Sequence, residues 1–194
     1  MPALKTKAAK ARLLEAAATL FYNDGITATG IDAITAKAGV AKMSLYNNFK
    51  SKADLVAAFI EARHAEWLAL YEARLAEART AQERVLAIFD AYADHANSAY
   101  ERGFRGCGLL NAAAELPAGD VGREAVRRHK EHVEQLLVQH LAELSPLSPE
   151  AATQTATHLS FLLEGSMSRA GLEGNDARVQ QARLIAASLL EAVR

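Results

Sequence analysis

The stretch Thr29–Leu55, TGIDAITAKAGVAKMSLYNNFKSKADL, decides the fold. It predicts a helix, a tight turn at Gly39, a short second helix, and a longer helix that begins after Ser51. Gly39 stands where the chain must turn with a positive φ, a conformation that glycine adopts without steric cost. This spacing is typical of a helix-turn-helix, in which one helix enters the major groove of DNA.

Apolar residues recur at helical spacing along the whole chain, and the alternation typical of strands is absent. The predicted helices cover about residues 5–23, 29–38, 42–49, 52–78, 81–100, 109–115, 120–144, 149–170 and 176–193. Proline, glycine and serine predict breaks at residues 116–119, 145–150 and 171–175. The fold class is therefore all-α, and 194 residues can bury a core without disulfides.

The composition favours a cytoplasmic protein. Cys107 is the only cysteine, so it cannot form a disulfide within the chain, which favours a reducing compartment. The basic first residues lack the apolar core of a secretory signal, and no apolar run reaches the roughly 18 residues that span a bilayer. Residues 1–60 carry a net charge of +4 and the remainder −5, so a polyanion is expected to bind the N-terminal part.

Leu13–Leu55 resembles the DNA-binding domain of the TetR family of bacterial repressors. The matching residues are Phe21, Gly25, Thr29, Ile34, Ala38, Gly39, Val40, Ser44, Leu45, Tyr46, Phe49, Ser51 and Lys52. The resemblance implies a helix-turn-helix domain over residues 1–52 and an all-helical effector-binding and dimerisation domain over residues 53–194. It further implies a ligand-responsive transcriptional regulator, a repressor that binds a palindromic double-stranded DNA operator as a dimer and is released by a small-molecule effector.

Polar side chains of the motif are the candidates for DNA contact. Tyr46 and Lys52 suit phosphate oxygens, and the hydroxyls of Thr29 and Ser44 can add neutral contacts to phosphate. The candidates for base edges are Lys42 for guanine, Asn47 and Asn48 for adenine, and Met43 for a thymine methyl. Packing alone for Tyr46, and a solvated face for the asparagines, are the alternatives. Thr35 departs from the usual family pattern, and its hydroxyl is expected to bond back to the preceding turn.

The last two helices carry small and apolar faces that predict a homodimer through a four-helix bundle. Those residues are Leu159, Leu162, Leu163, Gly165, Ser166, Leu184, Ile185, Ala187, Ser188 and Leu189. The alternative is that these faces are buried within the same subunit. By the resemblance, an effector binds among large side chains of the central helices, and the predicted ligand-binding residues are Trp67, Phe89, Tyr92, Phe104, Cys107, Asn111 and Phe161. Ordinary core packing is the alternative for each of them.

Cys107 suggests a second function. It precedes a short helix and has Arg102 and Arg105 nearby, a setting that favours a reactive thiolate. The alternative function is thus a thiol-based sensor of electrophiles or oxidants within the same family, and the competing interpretation of Cys107 is a small buried packing residue. A helical enzyme that uses Cys107 is less favoured, because no base for the thiol and no catalytic motif is present.

No catalytic residue, metal ligand or cofactor is therefore predicted, and the chain is not expected to be an enzyme. His129 and His132 have a spacing that can share a metal ion. Arg127, Arg128 and Lys130 surround them and repel a cation, so both histidines are interpreted as solvated.

Overall fold

The computed structural model describes residues 2–144 and 147–192, and the regular elements in those ranges are all α-helices. They are α1 (Pro2–Asp24), α2 (Ile31–Ala38), α3 (Lys42–Asn48), α4 (Lys52–Glu77), α5 (Ala81–Ala96), α6 (Gly108–Glu115), α7 (Val121–Leu141), α8 (Pro149–Glu173) and α9 (Ala177–Ala192). The predicted all-α class is confirmed. Ser145 and Pro146, which fall in a predicted break, and Val193, the predicted end of the last helix, lie outside the described residues.

The chain forms two compact units. Unit 1 contains Met1–Arg63 and Gly108–Val126, and unit 2 contains His64–Cys107 and Arg127–Arg194. This division by packing differs from the predicted functional boundary after residue 52, because the beginning of α4 packs with the N-terminal helices. The functional boundary remains a prediction.

Unit 1 is built around apolar side chains of α1–α4. Ile34 of α2 and Leu45 of α3 are fully buried, and Phe59 of α4 meets Phe21 of α1 edge-on, with 5.5 Å between the ring centroids. Burial of such side chains supplies the main driving force that holds the short helices α2 and α3, since helices of seven or eight residues are unstable alone.

Unit 2 is a helical bundle in which α9 packs against α5 and α8. Local sequence signals fix where its helices begin. Thr80 and Glu83 form a reciprocal capping box at the start of α5. Ser148 accepts a hydrogen bond from the Ala151 N–H, and Pro149 occupies the first helical position of α8, as predicted.

Three predicted helix ends are wrong. Helix α5 ends at Ala96 and α7 at Leu141, both earlier than predicted. Helix α8 continues through Gly171, where a break was predicted, and ends at Glu173. The backbone of Gly106 approaches this point so closely that a Cβ on Gly171 would lie 2.6 Å from the Gly106 Cα atom. Gly171 therefore permits a close backbone contact in unit 2 and does not end the helix.

Candidate nucleic-acid interface

The turn between α2 and α3 is set by Gly39 and Thr35. Gly39 has φ 61° and ψ 42°, the left-handed conformation that was predicted for it. The Thr35 hydroxyl donates to the carbonyl oxygens of Ile31 and Asp32, each at 3.1 Å, as its position predicted. The Val40 N–H donates to the Thr35 carbonyl oxygen at 3.1 Å. These bonds fix the direction in which the chain enters α3.

Helix α3 has one inner and one outer face. Leu45 points into unit 1 and is fully buried, which anchors the seven-residue helix. Met43 is 70% exposed, Tyr46 is 48% exposed, and Asn47 is also exposed. The thioether of Met43 and much of the Tyr46 phenol lie on the surface, so the outer face of α3 is available for contact with another molecule.

Lys42 and Asn48 already have partners within unit 1. The Lys42 ammonium lies 2.7 Å from an Asp32 carboxylate oxygen, and both side chains are exposed. The hydrogen bond to Asp32, followed by its negative charge, raises the pKa of Lys42, which keeps the ammonium protonated. The Asn48 amide donates one N–H to the Ser44 carbonyl oxygen at 2.7 Å, so its second N–H and its own carbonyl oxygen are left for recognition.

Thr29 and Lys52 lie at the edges of the motif. Thr29 is 3% exposed and its hydroxyl donates to the Gly25 carbonyl oxygen at 2.6 Å. This hydroxyl is committed within unit 1, which gives no support to the predicted phosphate contact. Lys52 begins α4, is partly exposed, and follows Ser51, whose hydroxyl accepts from the Asp54 N–H at 3.1 Å.

Comparison with known proteins agrees with this geometry. Residues 13–59 match the family model described as bacterial regulatory proteins, tetR family. The chain is 32% identical to a TetR-family transcriptional regulator from Streptomyces coelicolor, with a TM-score of 0.82, over 95% of this chain and 94% of that one. The chain belongs to the TetR family. This TetR-family chain is therefore a transcriptional regulator with a helix-turn-helix domain, of a kind that typically binds DNA as a dimer.

Two more distant TetR structures share the fold. One is a regulatory protein TetR from Rhodobacter sphaeroides, 24% identical over 93% of this chain and 97% of that one, with a TM-score of 0.77. The other is a TetR transcriptional regulator from Chloroflexus aurantiacus, 21% identical over 96% of each chain, with a TM-score of 0.82. No curated protein matches the chain.

Unit 2 of this TetR-family chain contains a buried polar cluster, formed by Trp67, Tyr92, Cys107, Lys130 and Glu164. The Lys130 ammonium lies 2.7 Å from a Glu164 carboxylate oxygen, 3.3 Å from the Tyr92 hydroxyl and 3.7 Å from the Cys107 sulfur. The Trp67 ring lies 5.3 Å from the Tyr92 ring, centroid to centroid. Three residues of the predicted ligand-binding set are thus brought together.

The charges in the buried polar cluster are stabilised by one another. Burial opposes the charge on Lys130, but Cys107, Tyr92 and Glu164 outweigh it and raise the pKa of Lys130. Burial raises the pKa of Tyr92, so its phenol stays protonated. Among the described residues, neither Trp67 Nε1 nor Glu164 Oε2 has a hydrogen-bond partner, although both atoms are buried. Unsatisfied buried polar atoms are rare in native proteins, and these two could hydrogen-bond to polar groups of a small molecule.

The remaining predicted ligand-binding residues are Phe89, Phe104, Asn111 and Phe161. Phe161 is 69% exposed on α8. Asn111 belongs to α6 and therefore to unit 1. Phe104 is buried beside Tyr100, with 5.6 Å between the ring centroids, and Phe89 is fully buried on α5.

Sequence reasoning did not select Lys130 as a site residue, because it was interpreted only as a charge near two histidines. The signal that could have found it is the helical spacing of α7. Val126, Val133 and Leu137 are buried on this helix, and Lys130 falls between them at helical spacing, on the inner face.

The same spacing explains why the interpretation of His129 as solvated is wrong. His129 is buried, and its Nδ1 atom lies 2.7 Å from Nδ1 of His64. Burial, then the charges of Lys130 and His64, lower the pKa of His129, so the imidazole is neutral. In the described part of the chain, no group of three or more histidine, cysteine, aspartate or glutamate residues could hold a metal ion. No described helix is both long and apolar enough to cross a membrane.

Proposed function

We propose that this TetR-family chain is a ligand-responsive repressor that binds a palindromic operator as a homodimer and leaves DNA when a small molecule binds in residues 53–194. It acts in the cytoplasm, has no catalytic activity and needs no cofactor. The observation that carries the proposal is the outer face of α3, on which Met43, Tyr46 and Asn47 are exposed. This helix follows the turn whose conformation Gly39 fixes. A short helix with this surface fits a major groove.

The proposed DNA contacts follow from this face. Tyr46 offers its hydroxyl to phosphate, Met43 contacts a thymine methyl, and Asn47 pairs with adenine. Lys42 exchanges Asp32 for a guanine or a phosphate, which costs little because the pair is exposed. The proposed set is Lys42, Met43, Ser44, Tyr46, Asn47, Asn48 and Lys52. Thr29 is left out because its hydroxyl already donates to Gly25.

The homodimer is supported by apolar side chains exposed on α8 and α9. They are Phe161, Leu172, Leu184, Ile185 and Leu189. Monomeric proteins rarely expose so many large apolar side chains on neighbouring helices, and a second copy of the pair α8–α9 would cover them in a four-helix bundle. Leu159 and Leu163, which were also predicted for this surface, are instead buried within unit 2. A dimer also presents two copies of α3 to DNA. Two copies are needed because one short helix contacts too few bases for specific binding.

The test is a selection of duplexes with random cores by the purified protein at two salt concentrations. The expected result is a palindrome with half-sites about one helical turn apart. Tyr46→Ala should weaken binding to the enriched duplex at least tenfold. Val121→Ala is the matched control, since Val121 is exposed on unit 1 outside the motif, and should bind normally. Salt-sensitive binding without sequence preference would contradict the proposal.

A second candidate function, the Cys107 thiol sensor, is favoured by one contact. The Lys130 ammonium lies 3.7 Å from the Cys107 sulfur and would stabilise a thiolate there. The Cys107 thiolate would add to the β-carbon of an electron-poor alkene in the effector. The C–S bond forms as the C=C π bond breaks, and the adjacent carbon then takes a proton from solvent, which balances the proton that the thiol lost to solvent beforehand. The burial of Cys107 favours the competing interpretation as a packing residue.

Alkylation of the folded protein by iodoacetamide separates the two interpretations. A sensor should be alkylated once per subunit, more slowly in Lys130→Gln, with loss of operator binding. Lys50→Gln, at an exposed position of unit 1, is the control for the loss of a positive charge. If Cys107 reacts only after denaturation, the thiol-sensor function fails. Catalytic consumption of an electrophile would instead indicate an enzyme.

A further inference from the structure

Glu115, the last residue of α6, holds the loop that follows α1. Its Oε1 atom accepts a hydrogen bond from the Ile26 N–H at 3.0 Å, and its Oε2 atom accepts one from the Thr27 N–H at 2.7 Å. These residues lie almost 90 positions away in the sequence, yet all belong to unit 1. We call this pair of bonds the Glu115 clasp.

The loop is shaped to receive the carboxylate. Gly25 has φ 91°, and a Cβ on this residue would lie 2.7 Å from Glu115 Oε1, so only glycine fits. The Gly25 carbonyl oxygen accepts the Thr29 hydroxyl at 2.6 Å. Both ends of the loop are therefore fixed, and the chain then enters α2 after Gly30.

Helix α6 is itself held on α1. A Cβ on Gly108, the first residue of α6, would lie 3.2 Å from the Tyr22 ring. The eight-residue helix thus contacts α1 at its beginning and the loop after α1 at its end. Because α6 is held at its beginning, the exposed Glu115 carboxylate at its end is positioned against the loop.

The bonds are of a strong kind. Burial opposes ionisation, but the Thr27 and Ile26 N–H groups outweigh it and lower the pKa of Glu115, so the carboxylate stays charged near neutral pH. Hydrogen bonds to an ionised acceptor are stronger than bonds between neutral groups.

We propose that Glu115 is a positioning residue for DNA recognition, which fixes the loop before α2 and thereby the angle at which α3 is presented to DNA. The proposal rests on the proposed repressor function.

Glu115→Gln tests the positioning role, with the DNA duplex enriched in the selection above as the probe. The amide retains one acceptor but turns a donor toward an N–H group, so affinity should fall about tenfold or more. Glu61→Gln is the matched control, because Glu61 is exposed on the α4 part of unit 1. Both changes remove one negative charge, which by itself strengthens binding to DNA. A role through charge alone therefore predicts tighter binding for both variants, and only the clasp predicts weaker binding for Glu115→Gln.

If Glu115→Gln is less stable than wild type, its weaker DNA binding could result from partial unfolding. Two further measurements test the proposal in that case. Glu115→Asp keeps the charge but is too short to hold both N–H groups, and should lose affinity to an intermediate degree. Amide hydrogen exchange at Ile26 and Thr27 should accelerate in Glu115→Gln while amides of α3 keep their protection. The proposal would be overturned if amide exchange at Ile26 and Thr27 is unchanged in Glu115→Gln. It would also be overturned if Glu115→Gln and Glu115→Asp both bind the operator with wild-type affinity. If wild type itself enriches no duplex, the repressor function fails and the positioning role fails with it.

Discussion

Two lysine–carboxylate pairs in this chain have the same 2.7 Å separation and opposite environments. In the Lys42–Asp32 pair of unit 1 the side chains are 55% and 81% exposed, and in the Lys130–Glu164 pair of unit 2 they are 18% and 27% exposed. Exposed pairs contribute little to stability, whereas breaking a buried pair leaves a charge without water or a partner. The geometry of a contact thus does not reveal its energy, because the energy depends on what surrounds it.

The difference also separates what the two pairs can do. Lys42 can release Asp32 for another anion at little cost, which suits a surface that alternates between solvent and DNA. Lys130 is held by Glu164, Tyr92 and Cys107 at once, so a molecule that enters the buried polar cluster meets fixed donors and acceptors. Fixed polar groups favour specific recognition of a small ligand.

The largest effect is expected when the buried pair is broken. Lys130→Met should lower the free energy of unfolding by about 3 kcal/mol, because the Glu164 carboxylate is left partly buried without its cation. The double variant Lys130→Met with Glu164→Gln should recover part of that loss. Urea unfolding of both variants measures the loss of stability and its recovery, with Lys42→Met as the matched control. Equal effects of the two single lysine substitutions would erase the contrast between the pairs.

Close packing should make unit 2 sensitive at the backbone as well. Gly171→Ala places a Cβ 2.6 Å from the Gly106 Cα atom and should cost about 2 kcal/mol. Gly165→Ala adds the same methyl group to the same helix at a point where no described atom of the subunit lies within 4 Å, apart from the adjacent backbone of α8, and should stabilise the helix by up to about 1 kcal/mol. Thermal unfolding of the two variants compares them directly. A neutral Gly171→Ala would show that the contact with Gly106 is looser than described.

His129, one of two buried histidines of unit 2, should make stability fall in mild acid. The unfolded chain binds a proton at His129 below about pH 6.5, but burial and the charges of Lys130 and His64 keep the pKa of the folded imidazole near 2. Stability is therefore full above pH 6.5 and should drop by about 1 kcal/mol between pH 7 and about pH 5.5. His129→Asn should flatten this part of the stability curve, whereas His158→Asn, at an exposed position, should not. Parallel curves for His129→Asn and wild type would contradict a neutral His129.

The smallest effect on stability is expected at the exposed pair. Lys42→Met should change the free energy of unfolding by less than about 0.5 kcal/mol. Its effect should appear in DNA binding instead. If Lys42 contacts guanine, the variant should lose base preference at one position of the operator. If Lys42 contacts phosphate, the variant should bind all sequences more weakly, and the slope of log affinity against log salt concentration should fall by about one. Binding that Lys42→Met leaves unchanged in both respects would remove Lys42 from the interface.

The sequence was sufficient for features that depend on neighbours along the chain. Gly39 forms the predicted left-handed turn, Thr35 bonds back to α2, and Ser51 and Ser148 cap the helices that follow them. Each of these signals acts within one helical turn, so the residues that decide it stand side by side in the sequence. The family resemblance rests on the same local motif.

Contacts between distant segments could not be predicted in this way. The break predicted at Gly171 failed because the partner that requires a glycine, Gly106, is 65 positions away. The roles of Lys130 and Glu115 depend on which segments meet them in space. His129 was misread because Arg127 and Arg128, which precede it in the sequence, are exposed, whereas His129 itself is buried on the inner face of α7. Helical spacing could have placed Lys130 and His129 on the inner face, but it could not have supplied their partners.

Trp67 is the only tryptophan in the chain, and it is almost fully buried with an indole N–H that has no acceptor among the described residues. The protein therefore carries a single tryptophan fluorophore, which lies in the buried polar cluster where three of the predicted ligand-binding residues meet. A ligand that accepts a hydrogen bond from this indole should change the wavelength or intensity of its emission. Candidate effectors can thus be screened by light alone, without a label, before the operator is known.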